Sequence, residues 1–127
     1  MSNVLLIEPN VVLAGTYMQA LQHAGYTAVH ARGAQEAVDA ADATRPDVVV
    51  LELQLSGHSG VEFLHEFRSY GEWQTVPVIV NTHLSAQAIA AVQPALNSEL
   101  GVHMCLYKPR TSLQQLLGAI NQTLAAV

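Results

Sequence analysis

Pro46-Asp47-Val48-Val49-Val50-Leu51-Glu52-Leu53 is the stretch that decides the fold. Four consecutive apolar residues without polar alternation do not suit a strand with one wet face. They suit a parallel strand covered by helices on both faces. Pro46 stands where a loop gives way to the strand, a place in which a missing N–H is tolerated, and an acidic residue follows the run directly. Outward from here, Val4-Leu5-Leu6-Ile7, Val78-Ile79-Val80 and Val102 through Tyr107 have the same character. Pro77 repeats the punctuation of Pro46. Tyr26 to His30 is weaker and more polar, as an edge strand would be.

Between these runs the apolar spacing lengthens to three and four. After Asn10, a candidate N-cap, Ala14, Met18 and Leu21 mark a helix that stops at Gly25. Ala34, Ala37, Val38 and Ala41 repeat the pattern. Phe63, Leu64 and Phe67 follow Gly60, and Leu113, Leu116, Leu117, Ile120 and Leu124 mark the last helix. The Ala-rich stretch from Ala86 to Ala95 is helical in composition, and Pro94 is expected to end or kink it. The chain thus reads as βα repeated five times. Right-handed crossovers fold such a chain into an open, doubly wound parallel sheet with helices on both faces.

At 127 residues the chain has the size of one domain, so residues 1–127 are expected to share a single core. Half of them are hydrophobic and 12% are charged, which argues against an acidic disordered tail. Five Lys and Arg against ten Asp and Glu give a formal charge of −5. The basic residues are scattered, so neither nucleic acid nor an anionic membrane is an expected ligand. Cys105 is the single cysteine and allows no internal disulfide. No run approaches the ~20 apolar residues of a membrane span, and no basic leader opens the chain. A cytoplasmic protein is expected.

Parallel sheets of this kind carry their sites at the carboxyl ends of the strands. Glu8, Glu52, Thr82 and Lys108 each stand at such an end, on the first, third, fourth and fifth runs. Singly, each is no more than a solvated loop residue. Together they fall where the topology makes strand ends converge, and Lys108 is the only lysine in the chain.

The order Pro46 to Leu53, then Gly57 and Gly60, then Pro77-Val78-Ile79-Val80-Asn81-Thr82, then Tyr107-Lys108-Pro109 resembles the successive signatures of bacterial response-regulator receiver domains. The resemblance runs from Val4 to Leu124 and implies a flavodoxin-like, CheY-like α/β sheet with strand order 2-1-3-4-5. In that family an Asp after the third strand accepts a phosphoryl group, an acidic pair after the first strand holds Mg²⁺, and a hydroxyl residue and a lysine contact the phosphoryl oxygens. By position, Glu52 takes the phosphoacceptor place, Glu8 and Pro9 the acidic pair, Thr82 the hydroxyl and Lys108 the lysine.

The departures bear on chemistry. Mg²⁺ is usually held by one or two carboxylates, and Pro9 offers none, so metal binding is expected to be weak or absent, and no other cofactor is expected. Glu52 is one methylene longer than Asp, and misplacement by about 1 Å can cost ~10²-fold in a transfer reaction. That methylene carries the carboxylate outward, toward Lys108 and Thr82, where it either imitates a phosphoryl group or replaces a lost metal site. The family's switch aromatic, three positions before the lysine, is Cys105, with Tyr107 or His103 nearby as stand-ins. His83 follows Thr82 at a place that is normally small, and its ring is expected to crowd the site. The stretch from Thr82 to Lys108 is roughly four residues longer than usual in the family, about one helical turn, which implies a displaced or extended fourth helix.

The reading is therefore an atypical receiver acting through protein contact with a sensor kinase, an output protein or an output domain. A homodimer through the face of helix 4, strand 5 and helix 5 is a further possibility that the family implies. The alternative is a working phosphoacceptor with weak Mg²⁺ binding. Zinc, which needs three or four ligands at about 2 Å, finds no suitable spacing among the six histidines, although His58 and His83 lie on rim loops. His23, His30, His65 and His103 read as surface residues, His103 alternatively as a core one. No Gly-rich phosphate loop and no nucleophile–base pair suggests an enzyme or a flavin site. Trp73 either covers a helix end, the preferred reading, or offers an exposed partner anchor.

Overall fold

The computed structural model describes residues 2–126. Five strands, β1 (Asn3–Ile7), β2 (Thr27–Ala31), β3 (Val48–Leu51), β4 (Val78–Thr82) and β5 (Val102–Tyr107), alternate with five helices. The helices are α1 (Val11–His23), α2 (Ala34–Ala43), α3 (Gly60–Ser69), α4 (Ala86–Ser98) and α5 (Leu113–Ala125). Every neighbouring pair of strands is parallel, in the order β2-β1-β3-β4-β5. This is the doubly wound, flavodoxin-like sheet that the sequence implies.

The unbroken apolar runs are explained by two cores. Leu5, Ile7, Val49, Leu51, Val78 and Val80 point to one face, with Ala37, Ala41, Phe63, Phe67 and Leu96 of α2, α3 and α4. Val4, Leu6, Val48, Val50 and Ile79 point to the other, with Ala14, Tyr17 and Leu21 of α1 and Leu116, Ala119 and Ile120 of α5. Successive side chains leave a strand on opposite faces, so a strand covered on both sides must be apolar at every position.

Local signals fix the helix ends. The Asn10 side chain accepts from the Leu13 N–H at 3.0 Å. At the far end of α1, Gly25 takes φ +93, its N–H donates to the Gln22 carbonyl, and the Tyr26 N–H reaches the Leu21 carbonyl. That is the paired closure that a left-handed glycine permits. Asn10→Ala will lower the unfolding free energy by about 1 kcal/mol, seen as a lower urea midpoint at unchanged slope. Ser59 and Ser112 close α3 and α5 with reciprocal capping boxes to Glu62 and Gln115.

One expectation needs correction, and two open alternatives are decided in favour of the first reading given for each. Pro94 does not end its helix, since α4 runs through it to Ser98. An interior proline costs ~3 kcal/mol, but Leu96 beyond it is fully buried, and the Ser98 hydroxyl donates to the Pro94 carbonyl at 2.6 Å. Trp73 is no exposed anchor: it is 3% exposed and stacks on Phe67 at 5.0 Å between centroids, which leaves the covering role. His103 is exposed rather than core. The β4–β5 register slips so that Val78 pairs with Val102 and Ile79 with Met104, which leaves His103 between them without a Cα partner on β4.

Charge is segregated over the fold. Helices α1, α4 and α5 contain no Asp, Glu, Lys or Arg, whereas Glu36, Asp39 and Asp42 on α2 and Glu62 and Glu66 on α3 are all exposed.

Candidate functional site

The sheet's hydrogen-bond ladder continues past the strands and sets the backbone of the site. The Glu8 N–H donates to the Ala31 carbonyl and the Glu52 N–H to the Ile7 carbonyl, each at 3.0 Å. Both carboxylates therefore leave main chain that is held in register. Thr82, the last residue of β4, pairs with Tyr107, and Lys108 opens a short 3-10 turn, Lys108–Arg110, directly after β5. Gly60 is needed behind the site, because a Cβ there would lie 2.7 Å from the Leu53 Cα.

From these positions the side chains converge. Lys108 Nζ donates to Glu8 Oε1 at 2.5 Å and to Glu52 Oε1 at 2.7 Å. Glu52 Oε1 also accepts from the His83 N–H at 3.2 Å and stands 2.6 Å from His83 Nδ1. Glu52 Oε2 accepts from the Gln54 N–H at 3.0 Å and from the Thr82 hydroxyl. Thr82 Oγ1 in turn accepts from the Leu84 N–H at 3.2 Å, and Glu8 Oε2 accepts from the Asn10 N–H at 3.0 Å. A carboxylate is an acceptor only, so the short contact makes His83 Nδ1 the protonated ring nitrogen.

Glu52 is 1% exposed. Burial pushes its carboxyl pKa up, but the bonds from Lys108, Thr82 and the Gln54 N–H, with the Lys108 charge, outweigh this and hold it down at about 2. Burial likewise lowers the Lys108 ammonium, and its bonds to Glu52 and Glu8 outweigh that and leave it raised. Both groups are therefore held in their charged forms. Glu8 and Glu52 against one ammonium leave one negative charge, and the His83 imidazole lies against it.

Glu8, Glu52, Thr82 and Lys108 thus meet in one network. Pro9 adds no ligand atom; it sits half-buried between Glu8 and the helix cap. Cys105 pairs with Val80 in the sheet and packs beside the α4-side core, where burial raises its thiol pKa. Tyr107 is partly exposed. His58 lies 3.8 Å from Glu62, away from this network.

Sequence reasoning missed two features. His83 does more than crowd the rim: side chain and backbone both bind Glu52, while 53% of the side chain stays exposed. Its place directly after Thr82 was the only signal. His30 reaches across from β2, with Nε2 2.8 Å from the Glu8 carbonyl, and nothing in its local sequence announces this.

Comparisons with known proteins agree on one family. The family model described as a response regulator receiver domain matches residues 4–121. The chain is 38% identical over 79 residues to the probable transcriptional regulatory protein TcrX of Mycobacterium tuberculosis, a match covering 62% of this chain and 33% of TcrX. It is 30% identical over 102 residues to the KDP operon transcriptional regulatory protein KdpE of Escherichia coli, covering 79% of this chain and 44% of KdpE. The matches therefore span less than half the length of either regulator. Among solved structures, the receiver domain of a signal transduction histidine kinase from Syntrophus aciditrophicus superposes with a TM-score of 0.87 at 24% identity, covering 100% of this chain and 92% of that one. The receiver domain of the sensor histidine kinase PA1611 from Pseudomonas aeruginosa, which has a magnesium ion coordinated in its active site cleft, gives a TM-score of 0.85 at 22% identity over 98% of both chains.

Proposed function

The chain belongs to the response regulator receiver domain family, and from that premise we propose that it is an atypical receiver, one that signals by protein contact without phosphoryl transfer to Glu52. Receiver domains are signalling modules that work with sensor kinases or output domains rather than enzymes of the usual kind. The observation that carries the finer reading is the saturation of the Glu52 carboxylate. Five hydrogen bonds converge on its two oxygens, from Lys108, Thr82, Gln54 and twice from His83. An oxygen that attacks phosphorus must free a lone pair and reach the donor, and here both oxygens are buried and bound.

The residues also fit a divalent ion poorly. Mg²⁺ demands near-octahedral oxygen at about 2.0–2.1 Å. Pro9 supplies no oxygen, and the Lys108 ammonium lies between Glu8 and Glu52, bonded to both. Among the described residues, no group of three or more His, Cys, Asp and Glu side chains is placed to hold a metal. Lys108 supplies the positive charge in this corner and fixes the ends of β1, β3 and β5 in one arrangement.

A single arrangement is read by contact. The neutral α4 and α5, with β5 at the sheet edge, form a face suited to a sensor kinase, an output protein or a second copy. No helix among the described residues is long and apolar enough to cross a membrane. The test adds Mg²⁺ and beryllofluoride and follows the amide resonances of Thr82, His83 and Lys108. The expected result is no saturable shift; saturable binding at Glu52 would establish the working phosphoacceptor instead.

A further inference from the structure

A cleft of about 700 Å³ opens beside the site, between the loop after β3 and helix α4. Leu53, Leu55, Val61, Leu84 and Val92, drawn from the β3–α3 loop, α3, the β4–α4 loop and α4, form its apolar walls. Glu62 supplies a carboxylate at its lip, with His58 Nδ1 3.8 Å from it. No lysine or arginine lines it. We propose that this cleft binds a small organic cation, an ammonium carried on an apolar body.

Three properties support the assignment. The volume falls within the ~300–1,000 Å³ typical of small-molecule clefts, which likewise pair apolar walls with a few placed polar groups. The walls are also formed in advance. Gln54 and Ser59 close the β3–α3 loop through an isolated antiparallel bridge, Gly57 takes φ +77 within it, and the Gly60 N–H donates to the Leu53 carbonyl at 2.7 Å. The charge is selective as well. The positive end of α3 would favour an anion, but the Ser59 side chain caps the Glu62 N–H, and the Glu62 carboxylate adds a full negative charge there. The remaining field at the lip favours a cation.

Occupancy would be felt at the rim. The Gln54 N–H on one wall is bonded to Glu52 Oε2, and the Leu84 N–H on the other to Thr82 Oγ1. Glu52 and Thr82 are themselves bonded, so the pair staples the two walls of the cleft together. A ligand that spreads or tightens the walls acts on this staple, with no demand that Glu52 accept phosphate.

The test titrates the protein with 4-phenylbutylammonium and, separately, with 4-phenylbutanoate, following the methyl resonances of Leu53, Leu55, Val61, Leu84 and Val92. For ligands this small, dissociation constants on the order of 1 mM are expected. The ammonium should shift these methyls saturably, together with the Gln54 and Leu84 amides, and the carboxylate should bind several-fold more weakly. Glu62→Gln keeps the capping box, because glutamine also serves in it, and should weaken the ammonium roughly threefold, the scale of an exposed charge contact. Val61→Lys should abolish binding while the amide spectrum of the rest of the sheet stays intact. Absence of saturable methyl shifts, equal binding of the carboxylate, or binding indifferent to Val61→Lys would each overturn the assignment. These readouts are separate from the beryllofluoride experiment, so either idea can fail alone.

Discussion

Lys108→Met will lower the unfolding free energy at neutral pH by about 3–5 kcal/mol, the cost of removing one partner from a buried ion pair. Methionine keeps an unbranched stem of similar reach and removes the ammonium. Glu8 and Glu52, both buried, then face each other with no cation between them. Their repulsion and lost solvation, rather than a missing attraction, make up most of the loss. Urea unfolding measures it, and adding Glu52→Gln to Lys108→Met should recover a large part, a coupling that a double-mutant cycle resolves. A loss below about 1 kcal/mol, the range of exposed pairs, would mean that water reaches these carboxylates.

In acid the same corner gives way for a different reason. The Glu52 carboxyl is held below its ordinary 4.5, at about 2. A depressed carboxylate contributes stability above its unfolded pKa and loses it as pH falls through the folded one. The window therefore runs from about 4.5 down to about 2, and a gap of that size corresponds to roughly 3 kcal/mol at about 1.36 kcal/mol per unit. The measurement is the difference in unfolding free energy between wild type and Glu52→Gln from pH 7 to pH 2. It should be constant above about pH 5 and shrink steadily below. On the alkaline side, the raised Lys108 ammonium contributes below 10.5 and loses its contribution as pH climbs through its higher folded value. A wild type and Glu52→Gln difference that stays flat to pH 2 would remove the charged pair from the account.

Much of the fold was legible because its causes are local. Val48 to Leu51 must be apolar throughout if both faces are covered, and Asn10 and Gly25 act through their own backbone neighbourhoods. Pro94 misled because the anchor that carries α4 past it is tertiary: Leu96 is buried against a core assembled from other elements. Trp73 was ambiguous for the same reason, since its stacking partner Phe67 lies on α3. At the rim, strand-end positions brought Glu8, Glu52, Thr82 and Lys108 onto one edge, but not their bonding. Which carboxylate oxygen meets which donor depends on rotamers that a sequence does not state, and so His83 read as bulk rather than as a ligand of Glu52. The Asn81 amide, buried 3.3 Å from the Tyr17 hydroxyl with its Oδ1 unpartnered, was equally invisible.

The uneven placement of charge over the helices has a kinetic consequence. With five of the seven exposed carboxylates on α2 and α3 and none within α1, α4 or α5, the molecule presents a lopsided electric field. A basic surface diffusing toward it is drawn to the α2–α3 half before any contact forms, at a rate that falls as added salt shortens the ~10 Å reach of that field. Encounters on the opposite half proceed without such steering, and their rates are nearly indifferent to ionic strength.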